Sequence, residues 1–337
     1  MHVLIVKRGA LGDVVRTSYF ARALKVKFGP NLRLSWITAT ASLDLLRLNT
    51  SIDDLWTDFF AAETFHFDHV FSLDDERDAL EGVARLKAKL ISGAVLDGGE
   101  PSYTPDAAGW FDMGLLSRFG KQRADEIKRV NERSHAQIFS DIFGVEHVEP
   151  HFYLDDASAH WAEGNLPKIG RLVGINPYSG GRWPSKELLR PELSILVENL
   201  LKPESPLGAD VGIVLLGAGA DFARNSSVID EIGNPRVLTV NTDASVQHLA
   251  AVIARLDYLV SSDSLALHLA IAQDIPFTAF FSPTSAAEID DWGIGTKVIS
   301  TAADYCSYRK DADNSSITAL RIIKAIRDNP RIQTLRP

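Results

Sequence analysis

The sequence predicts an α/β protein in which two doubly wound domains follow one another and face each other across a cleft. Three observations carry that expectation. The 337 residues suffice for two domains at about 100 to 200 residues each, both large enough to bury a core without disulfides or metals. Short apolar or β-branched runs alternate with helical patterns, the mark of a mostly parallel sheet covered on both faces. The alternation begins a second time after a polar stretch and the turn GNLPKIG at 164–170, which places the domains at 1–160 and 161–337. A composition that is 45% hydrophobic and 23% charged excludes disorder, collagen and coiled coil as overall readings.

The elements follow in order. His2 to Val6 is an apolar run, KRGALG a glycine-punctuated loop, and 13–28 has apolar residues at helical spacing until Gly29-Pro30 stops it. Further strands are expected at 32–37, 54–57, 69–73 and 93–97, with a helix at 75–90. Residues 98–120, rich in Gly, Pro and aromatics, read as an irregular functional loop or insertion. One long helix at 121–143 then leads to a strand at 151–154. The second series has strands at 171–176, 211–216, 236–240, 257–261 and 277–281. Helices are expected between them at 191–201, 221–232, 245–254 and 264–272, and a last helix at 317–327 that is able to return to the first domain.

Charge is unevenly spread. The chain carries 35 basic and 44 acidic side chains, a net charge of -9, which argues against a nucleic-acid binder. Residues 7–33 nevertheless hold Lys7, Arg8, Arg16, Arg22, Lys25, Lys27 and Arg33 against Asp13 alone, seven minus one or +6, so the remainder carries -15. A second basic window at 118–133 contains Arg118, Lys121, Arg123, Lys128, Arg129 and Arg133 against three acids. Such runs are either solvated helix faces or a site for an anionic ligand. The single cysteine, Cys306, allows no internal disulfide and fits a reducing compartment, the cytoplasm by default. No apolar run approaches the length of a membrane span, and Met1 to Val6 is too short for a signal sequence.

Four loops combine residue types that do chemistry. In VKRGALGDVV the glycines at 9 and 12 fail the dinucleotide fingerprint, and the second strand ends at Ile37-Thr38 without a ribose-binding acid. Asp13 there is a helix cap, a catalytic carboxylate, or both. In GINPYSGGRWPSKE, Asn176, Ser179, Arg182 and Lys186 offer donors and cations suited to phosphate, though surface loops also collect such residues. In LVSSDSLALHLA, Asp263 and Ser264 open a helix whose amino end can hold a diphosphate without a metal, or they merely cap it. His268 lies on the same helical face as Ser264 and equally fits a packed core histidine. In LLGAGADF, Gly217 and Gly219 would let a nucleotide approach the backbone. His66 and His69 have no evident third ligand, so no metal site is assigned.

The succession KRGALGDVVRT, NPYSGGRWPSK and SSDSLALHLA followed by FFSPT resembles glycosyltransferase family 9, the heptosyltransferases of lipopolysaccharide core assembly, over nearly the whole chain. That resemblance implies the GT-B fold with two Rossmann-like domains, acceptor-binding at 1–160 and donor-binding at 161–337. It further implies inverting, metal-independent transfer without a cofactor, typically from ADP-heptose. By motif, Asp13 resembles the general base, Lys186 a donor-phosphate ligand, 263–265 the donor-binding turn, and His268 the histidine after it. The family turn usually reads Asp-Thr-Gly. Leu265 replaces that glycine, adding a Cβ where backbone approaches donor and disfavouring positive φ.

Taken together, these readings expect a glycosyltransferase with Asp13 as base. Asn176, Ser179, Arg182, Lys186, Gly217, Gly219, Asp263, Ser264, Leu265 and His268 would serve the donor. Lys7, Arg8, Arg16, Arg118, Lys121 and Arg123 would meet an anionic glycan or glycolipid, with peripheral contact at the inner membrane surface. A sugar-nucleotide epimerase of the same architecture and a non-catalytic nucleotide-sugar-binding protein are the alternatives.

Overall fold

A computed structural model describes residues 1–181 and 183–333, which form two compact α/β units. Unit 1 comprises Met1–Tyr153 together with Ala287–Asp290; unit 2 comprises Leu154–Ala286 and the described residues from Asp291 on.

Unit 1 is built on β1 (His2–Val6), α1 (Leu11–Phe28), β2 (Arg33–Ile37), β3 (Asp54–Trp56), β4 (His69–Ser72), α2 (Arg77–Ala84), β5 (Ile91–Asp97), β6 (Glu100–Tyr103), α3 (Gly120–Val130) and α4 (His135–Phe143). The strand order is β3-β2-β1-β4-β5-β6. β1 is central because Val3, Leu4, Ile5 and Val6 are all fully buried, as a strand covered on both faces requires. It pairs in parallel with β2 from His2 opposite Arg33 to Val6 opposite Ile37, and with β4 from Val3 opposite His69 to Val6 opposite Ser72. α1 ends at Gly29, whose φ of 78° lets the chain turn while its N–H closes on the Lys25 carbonyl. Phe20 of α1 stacks on Phe143 of α4 at 4.6 Å between ring centroids, and Phe71 of β4 meets the same ring at 4.4 Å.

Four local expectations of the first series are corrected. The segment read as irregular contains β6, antiparallel to β5, because Gly98 and Gly99 both take positive φ and form a two-residue hairpin turn. The helix expected at 121–143 is two helices. The Asn131 side chain bonds the backbone of Arg133 at both its N–H and its carbonyl, and Ser134 starts α4 with a reciprocal capping box to Gln137. Residues 151–154 form no strand, and α2 stops at Ala84 rather than running to 90.

Unit 2 repeats the plan with α5 (Asp156–Asn165), β7 (Arg171–Asn176), α6 (Arg190–Leu200), β8 (Val211–Leu215), α7 (Ala220–Ile232), β9 (Val237–Thr239), α8 (Val246–Ala254), β10 (Tyr258–Ser262), α9 (Leu265–Ala272), β11 (Phe277–Phe281), β12 (Gly295–Ile299) and α10 (Ala319–Asp328). Its order, β9-β8-β7-β10-β11-β12, is all parallel. The apolar side chains of α6 and α10, among them Leu193, Leu196, Val197, Ile322 and Ile326, bury against Val173, Ile175 and Ile213 of the sheet. β12 escaped the sequence reading because GTKVI buries little beyond Val298; Gly295 is there because a Cβ would come within 2.1 Å of the Phe277 ring in the neighbouring strand.

In both units the strand order reverses beside the first strand, between β1 and β4 and between β7 and β10. Connections leave in opposite directions at such a point and open a crevice beyond the carboxyl ends of the strands. Gly93 is the glycine of unit 1 with least room for a side chain: its φ is 118°, and an added Cβ would lie 1.9 Å from the Ser72 carbonyl oxygen. Gly93→Ala should lower unfolding free energy by roughly 2 to 5 kcal/mol through strain and overpacking. Urea denaturation tests this, and a loss below about 1 kcal/mol would show that the strand shifts to accommodate the methyl.

Candidate functional site

The crevice of unit 1 is organised by a buried ion pair. Lys7 follows β1, and its ammonium lies 2.6 Å from Asp74 Oδ1, with the Asp74 side chain 2% exposed. Asp74 Oδ2 accepts from the Arg8 N–H at 2.5 Å, and the Lys7 carbonyl accepts from Trp36 Nε1 at 3.0 Å. Burial alone would pull the Lys7 ammonium down, but the Asp74 carboxylate and, behind it, Asp13 outweigh burial and hold its pKa above the ordinary lysine value. The Arg8 guanidinium turns outward to Asp78 at 2.6 Å.

Asp13 is not the N-cap of α1. The cap is Ala10, which offers no side-chain acceptor, so Asp13 stands at the third helical position, where a carboxylate still interacts favourably with the helix dipole. Its Oδ1 accepts from Arg16 at 2.8 Å; the carboxylate side chain is 35% exposed and the arginine 12%. The Arg16 guanidinium in turn lies 5.4 Å from the centre of the Trp110 ring, which itself stands edge-on to His135 and Phe139. The 98–120 segment thus supplies the aromatic plate against which the partner of Asp13 is held.

The basic window around Asp13 is neutralised in three dimensions. Besides these pairs, Arg22 meets Glu149, Lys25 meets Asp53, Arg33 meets Asp54, and Lys27 donates to the Gly144 carbonyl. In the second window Arg118 pairs with Asp112, Lys121 with Asp125 and Arg123 with Glu126. Those three cations are 56%, 73% and 62% exposed, so their pairs are weak and exchangeable.

The crevice of unit 2 draws together more of the expected residues. Parallel pairing of β10 with β7 sets Ser261 beside Asn176. The Asn176 amide donates to Ser264 Oγ at 2.9 Å, and Ser261 Oγ lies 3.0 Å from the same hydroxyl. Ser264 is the N-cap of α9 by backbone geometry, yet its side chain makes no capping bond because it is engaged by Asn176 and Ser261. Lys186 reaches across from its own loop, donating to the Asp263 carbonyl at 2.9 Å and carboxylate at 3.0 Å; His268 Nε2 lies 3.5 Å from the other carboxylate oxygen. His268 is 5% exposed, the packed histidine that its spacing also allowed. Leu265 is the first residue of α9 and is not among the described residues with positive φ, so the side chain replacing glycine brings no backbone strain.

The remaining expected donor residues form a neighbouring group. Ser179 Oγ donates to the Trp183 carbonyl at 2.7 Å, and the Gly180 N–H donates to Asp221 at 2.9 Å. Gly217 admits no side chain, since a Cβ would sit 2.9 Å from both Asn225 and Asp221, and the Gly219 N–H donates to Asp243 at 2.6 Å. Asp221, 6% exposed, and Asp243 were missed in the sequence; the acid closing LLGAGAD was the available signal for the first. Arg182 lies outside the described residues. Among the described residues no group of three His, Cys, Asp or Glu is placed to hold a metal ion, and no helix is long and apolar enough to cross a membrane.

Two Rossmann-like units, each with polar groups gathered at its strand-order reversal, define a doubly wound α/β protein with a ligand crevice in each unit. Comparison with known proteins places the resemblance in glycosyltransferase family 9 (heptosyltransferase), whose sequence model matches residues 209–317. The fold is that of the glycosyl transferase family 9 protein from Veillonella parvula, at 17% identity, coverage of 96% of this chain and 95% of that one, and a TM-score of 0.69. It is shared with E. coli ADP-heptose lps heptosyltransferase II (13%, 99% and 99%, 0.69) and E. coli heptosyltransferase WaaC with ADP (16%, 98% and 100%, 0.65). No curated protein sequence matches the chain. The expected resemblance and the expected fold are both borne out.

The Lys7–Asp74 pair makes a prediction with a definite pH dependence. Lys7 has a folded pKa above the unfolded 10.5, so its contribution is complete below about pH 10.5 and disappears as pH rises through the folded value. Asp74→Asn should cost about 3 to 5 kcal/mol at pH 7 by leaving the ammonium buried without its counter-ion. The gap between wild type and variant should narrow as pH climbs past 10.5. Denaturation curves at pH 7 and in the alkaline range test it; a gap independent of pH would show that the loss is packing rather than charge.

Proposed function

We propose that the protein is an inverting glycosyltransferase that moves a sugar, heptose in the first instance, from a nucleoside-diphosphate donor to an anionic glycan or glycolipid acceptor. The observation that carries this reading is the cluster at the β7–β10 reversal, where the Lys186 ammonium and the amino end of α9 converge. Free first-turn amides and a cation are what a departing diphosphate needs as it gains charge, and together they can do so without a metal. Structures of E. coli heptosyltransferase WaaC with ADP and with ADP-2-deoxy-2-fluoro heptose support an ADP-sugar as the donor to try first.

In the proposed reaction the acceptor hydroxyl oxygen forms a bond to the anomeric carbon on the face opposite the diphosphate. The bond from that carbon to the diphosphate oxygen breaks, and its electron pair leaves with the nucleotide. Asp13 takes the hydroxyl proton, and Arg16 holds that carboxylate at a fixed rotamer and leaves it partly open to solvent. A positioned base of this kind contributes roughly 10² to 10⁴ in rate. Lys186 would exchange its bond to the Asp263 carboxylate for the donor phosphate, and Asp263 would keep His268. Asp221 and Asp243, which already order the glycine turns, would shape the nucleoside side. Acceptor charge at a membrane surface would be met by Arg118, Lys121 and Arg123, the more exposed of the expected cations, whereas Lys7 and Arg16 serve the scaffold of Asp13.

Two substitutions test the assignment. Asp13→Asn should lower turnover by about 10² or more while leaving ADP-sugar binding intact. Near-normal turnover in a coupled ADP-release assay would sink the base assignment. Lys186→Ala should weaken nucleoside-diphosphate binding by roughly 2 to 5 kcal/mol. An unchanged dissociation constant by calorimetry would return this lysine to a purely structural tie to Asp263.

A further inference from the structure

Asp13 stands between two cations. Arg16 bonds its Oδ1 at 2.8 Å, and the Lys7 ammonium is close enough for the same carboxylate to raise its pKa while Arg16 lowers it. The carboxylate therefore has a second cation to turn to, and the direction it points depends on Arg16 staying in place. An arginine side chain has many rotamers, and a partly exposed carboxylate is by itself a weak restraint on them.

The further restraint is Trp110. The Arg16 guanidinium carbon lies over the indole, 5.4 Å from the ring centre and within the range of a cation–π contact. Because the arginine side chain is only 12% exposed, water competes little for it there. Trp110 belongs to the short helical turn Ala108–Phe111 and is itself braced. Its ring stands edge-on to Phe139 at 5.1 Å and to His135 at 5.4 Å, and those two buried rings stack on each other at 3.8 Å. The first turn of α4 is tied down as well: the His135 N–H donates to the Glu288 carbonyl at 2.8 Å, and Ser134 Oγ to Asp290 Oδ2 at 3.2 Å. Residues 287–290 belong to unit 1 although the chain on either side of them belongs to unit 2. A continuous line of contacts thus runs from 287–290 through α4 and Trp110 to Arg16 and ends on Asp13.

We propose that Trp110 is a positioning residue of the transferase: its ring fixes the Arg16 guanidinium, and through it the Asp13 carboxylate, in the orientation that receives the acceptor proton. The proposal rests on Asp13 being the base. It gives the aromatic segment at 98–120 a task that neither its charges nor the donor chemistry requires. A displacement of about 1 Å in a reacting group can cost about 10² in rate, so loosening Arg16 should be felt in turnover. Donor binding, assigned to Lys186 and the start of α9, should not feel it.

The test is ADP release from ADP-heptose by the whole chain, with lipopolysaccharide lacking heptose as acceptor. Trp110→Leu keeps an apolar side chain but removes the π face, and should lower kcat about tenfold or more with KM for ADP-heptose unchanged. Trp110→Phe gives the guanidinium a ring again and should recover kcat to within about threefold of wild type. In the Asp13→Asn background Trp110→Leu should cost nothing further, because the group it positions is gone. The proposal is overturned if Trp110→Leu turns over like wild type, if Trp110→Phe is as slow as Trp110→Leu, or if the loss multiplies in full with that of Asp13→Asn. A raised KM for the acceptor at unchanged kcat overturns it too, and makes Trp110 an acceptor contact. Near-normal turnover of Asp13→Asn removes the base assignment and the proposal with it, whereas an impaired Asp13→Asn beside a normal Trp110→Leu removes the proposal alone. A crystal structure of Trp110→Leu gives a readout independent of the substrates chosen. Asp13 is expected to leave Arg16 and turn toward Lys7, and a retained Asp13–Arg16 pair at 2.8 Å overturns the proposal.

Discussion

Parallel hydrogen bonding between β7 and β10 sets Asn176 beside Ser261, and the polar cluster around Ser264 and Asp263 descends from that register. Once the two strand ends are neighbours, the Asn176 amide can reach the Ser264 hydroxyl, the start of α9 is fixed, and Asp263 is presented to Lys186 and His268. Slipping the register by one residue would turn Asn176 to the other face of the sheet and dissolve the cluster. Unit 1 uses the same device: β1 beside β4 brings Lys7 to Asp74 across 67 residues of sequence, and the buried pair anchors the loop leading into α1 and Asp13.

The two crevices differ in how they spend their charges. In unit 1 the cations are mostly committed to carboxylates of the same unit, so a sequence window of +6 folds into a network of pairs with little free charge at its centre. Their main effect is to hold groups still, and Asp13 is the clearest beneficiary: Arg16 grips it on one side and is itself backed by Trp110. In the crevice of unit 2, Lys186 lies against Asp263, two residues before α9, where the backbone amides of the helix start add to it. An anion is therefore better served by the second unit, while the first is better suited to presenting a carboxylate.

Several features were legible in the chain because they depend on neighbours in sequence. The buried strands announced themselves as apolar runs, and β7 and β11 fall where the runs placed them. Gly29 stopped α1 as its position promised. What misled was competition that spacing does not display. Asp13 looked like a cap until the helix began two residues earlier at Leu11. The 121–143 pattern looked continuous until Asn131 and Ser134 took the backbone bonds for themselves. β6 and β12 carry too little apolar surface to be read alone and exist because a glycine turn and a paired strand supply the missing constraint.

By itself the sequence determined the two-fold α/β plan, the loops that carry chemistry and the resemblance to family 9, since periodicity, turn glycines and motif order are all written locally. Only the tertiary structure decided which charges are free. Lys7, Arg8 and Arg16 meet Asp74, Asp78 and Asp13, and Lys186 meets Asp263. Pairing at distances under 4 Å depends on which strands lie side by side, and a one-dimensional charge count contains no information about that.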